Sequence, residues 1–337
     1  MKPNYFKINV IYQKRFLIGF LTLFLTFVYA SPATAKTLRV LSGFPQTHLF
    51  TEGCLGIFGK NLEQISGGQM TLQFNGPDVV PTNEQFQPLQ AGVFDILFTH
   101  PAYHLGTTAM GATLAAISPD PVKRRKSGII DYIDKHYHQH GVKLLAVLPM
   151  VEYNIVLKKA VGNRVPSLKG LKIRTSPLVA PMVKALGGAP VSLPPGDIYT
   201  SLQKGVIDGF TLVAVGLEDY KIHEVAGYLA RPTFSYISGS LFMNLNKFKQ
   251  LSAREQKWVE QAALKSEKDA KVFFRKKHLS EVEKLKSLGM GITQLDSKDA
   301  AKLDKVFNAT VWAVTEKYAG KAAKDLHQLA IKEGMTK

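Results

Sequence analysis

A single cysteine, Cys54, stands in 337 residues, so no internal disulfide can form. It is not adjacent to the expected cleavage site described below, so no lipid anchor is suggested, and its helical spacing reads as a small apolar residue. Catalytic signatures are missing. No GxSxG, HExxH, Walker loop, GxGxxG or CxxC occurs, and His223-Glu224, which opens like a zinc-protease motif, meets Gly at position 227. Triads assembled from distant residues leave no such motif, so a secreted enzyme stays open as an alternative. Asp208 would be its nearest carboxylate; its other reading is to buttress the Gly209 turn. The usual nucleic-acid motifs are absent, and no nucleic-acid partner is expected. After residue 35 no apolar run reaches the roughly 20 residues of a membrane span.

What is present begins with a leader. Lys2, Lys7, Lys14 and Arg15 make a basic, acid-free start, Phe16 to Tyr29 is almost wholly apolar, and Ala33-Thr34-Ala35 supplies small residues for cleavage. Residues 1–35 therefore read as a signal peptide that is removed, leaving an exported protein that is not itself membrane-embedded. Acidic residues are few, 26 against 43 Lys and Arg, and the net charge is +17; losing the leader's four basic residues leaves +13. Such an excess suits nucleic acid, an anionic membrane surface or anionic small ligands. The basic residues are scattered. The dense run Lys123-Arg124-Arg125-Lys126 reads as a solvated loop or helix start, or else as a partner surface.

Past the leader, short apolar runs alternate with helical periodicity, which predicts an α/β architecture. Leu38–Leu41, Met70–Phe74 and Val93–Phe98 read as strands, with helices over Phe50–Ile65 and Glu84–Gln90 between them. The same order returns as strand Lys172–Arg174, helix Val179–Leu186, strand Ala189–Leu193 and a helix with Asp197 as its N-cap. Leu89-Gln90-Ala91-Gly92-Val93-Phe94-Asp95 matches Leu202-Gln203-Lys204-Gly205-Val206-Ile207-Asp208 at five of seven places. Two similar lobes are expected. Tyr236–Leu245 reads as a further strand, and Ser252-Ala253-Arg254-Glu255 is a capping box opening a helix to about Leu288, long enough to lie across both lobes. Helices around Ala300–Ala319 and to Lys332 end the chain. A ligand cleft between the lobes follows.

Two clusters invite a site. His136 and His140 share a helix face one turn apart and suit zinc, or else form a polar helix end before Gly141; neither a metal nor another cofactor is expected. Arg174 ends its strand, where open α/β sheets face their crevice, and a guanidinium there grips a carboxylate through two parallel bonds. The competing reading is an ordinary surface arginine.

The run Leu168-Lys169-Gly170-Leu171-Lys172-Ile173-Arg174, then Leu186-Gly187-Gly188-Ala189-Pro190-Val191, then Gly196-Asp197-Ile198-Tyr199 through Gly205-Val206-Ile207-Asp208-Gly209, closely resembles the signature of DctP-type solute-binding proteins of TRAP (tripartite ATP-independent periplasmic) transporters. Ser66-Gly67-Gly68, Gln90-x-Gly92-x-x-Asp95 and the long helix after Leu251-Ser252 agree as well. The resemblance implies a two-lobed periplasmic-binding-protein-like fold, class II in type, with a long helix spanning both lobes. Lobe I is expected over 36–150 with about 236–250 and lobe II over 151–235. The spanning helix then takes 252–288, and 289–337 packs on the lobes. It also implies a receptor, not an enzyme, that closes around a small organic acid and docks on the two membrane subunits of a TRAP permease. A ligand sensor for a signalling receptor is the alternative partner reading.

In that family the arginine matching Arg174 pairs with the ligand carboxylate. Elsewhere the chain departs from the sialic-acid and dicarboxylate receptors. Tyr153 stands where they carry a second arginine, Phe210-Thr211-Leu212 replaces Gln-Glu-Asn, and His100, followed by Pro101-Ala102-Tyr103, replaces a glutamate. Hydrogen-bonding groups that a sugar acid needs are lost, at about 1–3 kcal/mol for each unmatched buried group. The expected ligand is a smaller or more apolar monocarboxylate, 2-oxo, branched or aromatic. Arg174, Tyr153, Phe210 and Leu212 are expected to contact it, with His100 or Tyr103 on a second polar group; the competing reading of Phe210 and Leu212 is that they are simply core residues.

Overall fold

Strands apolar on both faces decide the layering, because such strands must be covered on both sides. The computed structural model describes residues 35–162, 165–176 and 178–336; the leader expected over 1–35 lies, Ala35 apart, outside them. Two sheets form. β1 (Lys36–Ser42), β2 (Met70–Asn75), β3 (Ile96–Thr99), β4 (Val142–Pro149) and, much later, β10 (Ser238–Asn244) make the first, in the order β2-β1-β3-β10-β4. β5 (Tyr153–Leu157), β6 (Lys172–Arg174), β7 (Ala189–Val191), β8 (Gly209–Val213), β9 (Tyr228–Phe234) and β11 (Gly291–Gln294) make the second, in the order β11-β9-β5-β8-β6-β7. β11 is a strand that the sequence pattern did not show. It is a short edge strand, where alternation is weakest as a signal, and it runs parallel to β9.

Each sheet is a lobe with helices on its faces. Leu41, Leu97, Leu144 and Phe242 pack on Ile129, Ile133 and Tyr137 of helix Ile129–His138. On the other face Val40, Ile96, Phe98 and Leu241 meet Phe58 and Leu62 of helix Ile57–Ser66, and buried Cys54 lies in the same cluster. In the second sheet Val156, Phe210 and Leu229 pack on Ile198 and Leu202 of helix Ile198–Gln203.

The repeated sequence unit has one physical cause. Gly92 and Gly205 each close a helix at φ +72° and +71°, a left-handed turn open to glycine at no steric cost. Each aspartate then clips the following strand to its neighbour. Asp95 N–H donates to Arg39 O at 2.9 Å while its carboxylate accepts from Arg39 N–H at 2.7 Å. Asp208 does the same with Lys172, at 2.8 Å in both directions. The Asp208 carboxylate is thus committed to setting the register beside Arg174.

The chain crosses between sheets twice by short links, Met150 N–H donating to Ile237 O and Ile237 N–H to Val151 O. It also crosses by helix Ala253–Ser287, which contributes Val259, Ala262, Ala263 and Phe274 to the first lobe's core and Leu285 to the second's. Glu267 fastens this helix to the first lobe by accepting from Arg125 and from Val147 N–H, and Glu281 fastens it to the second by accepting from Gly216 and Glu218 N–H. Its N-terminus is a complete capping box. Ser252 Oγ accepts from Glu255 N–H at 3.3 Å and Glu255 accepts from Ser252 N–H at 2.7 Å. Ser252→Ala should lower stability by about 1 kcal/mol, read as a denaturation midpoint. The final helix, Lys302–Lys332, breaks its regular dihedrals at Gly320.

Two local expectations need correction. Asp197 does hold the N-cap position of helix Ile198–Gln203, but in helical backbone and with no side-chain capping bond. The basic run 123–126 is not uniformly solvated. It lies within helix Pro121–Lys126, where Arg124 is 1% exposed and Arg125 is paired with Glu267.

Candidate functional site

Arg174 ends β6, and its side chain turns back under the next two chain segments. Nε–H donates to Leu193 O at 2.8 Å and Nη1–H to Thr211 O at 3.3 Å, which fixes the guanidinium plane. Beside it Thr175 Oγ1 and Thr211 Oγ1 lie 2.8 Å apart. The residue is 7% exposed, and no carboxylate of the described residues is paired with it. Burial lowers its affinity for the proton, and the Tyr220 and Tyr153 phenols act the other way. An arginine so placed stays charged, since its ordinary value lies so high.

Tyr153 opens β5 and stacks on Phe234 with ring centres 5.4 Å apart. Burial pushes its phenol up to about 12, with the Tyr103 phenol adding to this and Arg174 opposing it. Tyr103 belongs to the first lobe, in the turn Pro101–His104 just past β3. So three of the expected residues, drawn from both lobes, share one electrostatic neighbourhood. Tyr103 is 37% exposed, its ring 6.1 Å from those of His100 and Phe44.

His100 caps the same turn, Nδ1 accepting from Ala102 N–H at 3.2 Å. Burial takes its imidazole down to about 4, so at neutral pH it carries one proton, which this bond assigns to Nε2. Nε2–H is then a neutral donor.

Phe210 and Leu212 correct the expectation. Phe210 is 0% exposed within the core that holds Ile198 and Leu202, and half-buried Leu212 packs against the same cluster. Strand alternation puts both on one face of β8, and that face is covered. Their apolar character serves the lobe's interior. His136 Nε2 is bonded to Thr108 Oγ1 at 2.8 Å, and no group of three metal-ligating side chains occurs among the described residues.

Three neighbours went unpredicted. Phe44 and His48 follow β1 and stack 5.1 Å apart, adding aromatic surface beside Tyr103. The rule applied to Arg174, that strand ends face the crevice, would have found Phe44 at the end of β1. Tyr220 lies in an irregular segment where no periodic signal exists.

Comparison with known proteins gives a consistent result. The model of the DctP family, described as bacterial extracellular solute-binding protein, family 7, matches residues 44–318. An ectoine-binding periplasmic protein of Halomonas elongata is 29% identical over 136 residues, 40% of each chain. An ectoine/5-hydroxyectoine-binding periplasmic protein of Ruegeria pomeroyi is 31% identical over 143 residues, 42% of each chain. The match thus spans about two-fifths of the length of these curated relatives. A TRAP periplasmic solute-binding protein of Rhodobacter sphaeroides, in an open unliganded form, superimposes with a TM-score of 0.77 at 18% identity, over 88% of this chain and 99% of that one. A Bordetella pertussis extracytoplasmic solute receptor binding pyroglutamic acid gives 0.69 at 18% identity, over 88% and 100%. These establish the two-lobed fold.

Proposed function

Because this chain belongs to the DctP family of bacterial extracellular solute-binding proteins, we propose that it is the periplasmic receptor of a TRAP transporter and holds a small monocarboxylate on Arg174. The observation that carries this reading is the buried guanidinium itself, oriented by two backbone carbonyls and left without an acidic partner. Nε–H and one Nη1–H are used for orientation, which leaves the other Nη1–H and both Nη2–H donors for the ligand. A carboxylate arriving there replaces water, and closure of the lobes strengthens the pair by excluding solvent. Tyr153 and Tyr103 supply flanking aromatic surface, and His100 Nε2–H donates to a second polar group. The closed form is favoured only by the ligand's greater affinity for it, with no covalent step. The loaded receptor then docks on the permease subunits.

The relatives support a small, compact acid. Ectoine, pyroglutamic acid and orotic acid, named for proteins of this fold, each carry one carboxylate on a small ring. Native mass spectrometry of the acid that co-purifies is the direct test; a polyol sugar acid in the cleft would reject the reading.

Neutral His100 also fixes a pH dependence. Its folded value lies below its unfolded one, and the same holds for buried His104, taken down to about 3. The unfolded chain therefore binds more protons between these values and about 6.5, so stability rises with pH across that window. Denaturation midpoints should be flat above pH 7 and fall steadily from about pH 6.5 toward 4. Replacing His104 by Phe should flatten that slope.

A further inference from the structure

Beside His100 lies a small, largely enclosed cavity of about 50 Å³. Four parts of the chain wall it: the turns after β3, with Leu105, Leu114 and Ala115; Leu178, four residues past Arg174; Ser238 at the start of β10; and Val311 and Val314 of the final helix. Polar side chains that reach it are partnered, His100 Nε2–H apart. His100 Nδ1 accepts from Ala102 N–H, Ser238 Oγ accepts from Arg124, and Thr315 Oγ1 donates to Val311 O. A water needs two to four polar partners, and this lining offers few. The volume is several times the roughly 10–15 Å³ that admits one water. Roughly two or three methyl or methylene groups would fill it.

The cavity adjoins the candidate site rather than standing apart. His100 lines it and has its ring 6.1 Å from that of Tyr103, whose phenol acts on Tyr153, as Arg174 does. Leu178 comes from the turn that Arg174 leads into.

We propose that this cavity is the apolar end of the ligand site, so that the receptor selects short aliphatic acids, straight or branched, whose carbon chain ends against the final helix. Val311 and Val314 then set chain length, a role for the C-terminal helix that the sequence did not suggest. This rests on the reading of Arg174 as the carboxylate anchor. Each methylene moved from water into such a lining is worth about a fourfold gain in affinity.

The test is calorimetry with straight-chain 2-oxo acids of three to seven carbons. Affinity should rise about fourfold per carbon over two or three steps and then level off. Ala112→Leu, which fills the cavity, should keep the three-carbon acid and lose the increments. Val314→Phe, at the opposite wall, checks this should the first variant fold poorly, with far-ultraviolet circular dichroism as the control. A flat series in the native protein, with binding still abolished by Arg174→Ala, would overturn the aliphatic assignment alone. A series indifferent to Arg174→Ala, or no acid bound at all, would overturn the anchor reading and this inference with it.

Discussion

Arg174→Ala should weaken binding of the native acid by about 2–5 kcal/mol, roughly thirtyfold to several thousandfold, as for a desolvated charge pair cut on one side. The fold should survive. The guanidinium's own bonds run to the Leu193 and Thr211 carbonyls, which water can reach once the side chain is gone, so the stability loss should stay near 1 kcal/mol. Arg174→Lys is the sharper variant. A lysine keeps the charge but has no fork, and it cannot satisfy two carbonyls and face a carboxylate in one plane. It should recover only a small part of the lost affinity by calorimetry. Full recovery would mean that charge, rather than geometry, does the binding.

Arg124→Met should have the largest effect on stability. Arg124 donates through Nε to Ser118 O at 2.5 Å, through Nη2 to Leu114 O and Ile117 O at 2.9 Å each, and through Nη1 to Ser238 Oγ at 3.2 Å. Burial lowers it to about 10, with Glu267 and Asp120 acting against that. Its charge is held mostly by neutral acceptors, because Glu267 is taken by Arg125. Methionine matches the bulk and strands three buried carbonyls, at about 3–5 kcal/mol in all. A melting-point drop on the order of 10 °C should follow. The same 114–118 turn holds the C-terminus, Ser118 N–H donating to Met335 O and Thr336 Oγ1 to Ala116 O at 2.7 Å each, so that segment should also become protease-sensitive. Exposed Lys123→Met, one residue away, should stay within about 0.5 kcal/mol. Equal effects at 123 and 124 would contradict this account.

That contrast shows what was legible in the sequence. Local rules worked where one residue type does one local job: the Gly92 and Gly205 turns, the Ser252 cap, the apolar core of β3, the end of β6 at Arg174. They failed where meaning depends on what lies across the fold. Four consecutive basic residues look alike in sequence, and only packing against Ser118, Ser238 and Glu267 separates buried 124 from solvated 123. Phe210 and Leu212 read as site residues by position in the motif, but which face of β8 is covered is fixed by helix Ile198–Gln203, not by β8 itself. Phe44 was within reach of the strand-end rule and Tyr220 was not. Val311 and Val314 lie more than 130 residues from Arg174, and only the tertiary fold brings them to its lobe boundary.

Helix Ala253–Ser287 is held to one lobe by Glu267, near its middle, and to the other by Glu281, near its C-terminus, so the stretch between the two glutamates bridges the lobes. Its outer side carries Val272, Arg275 and Leu279, which touch neither lobe's core. The final helix also packs on both lobes, against the turn Met110–Ala116 of the first and helix Ala180–Ala185 of the second, so any change in the angle between them has to be shared among the paired links at Met150 and Ile237, the stretch between the two glutamates and that helix. The angle at which the lobes rest is then set jointly by two long helices.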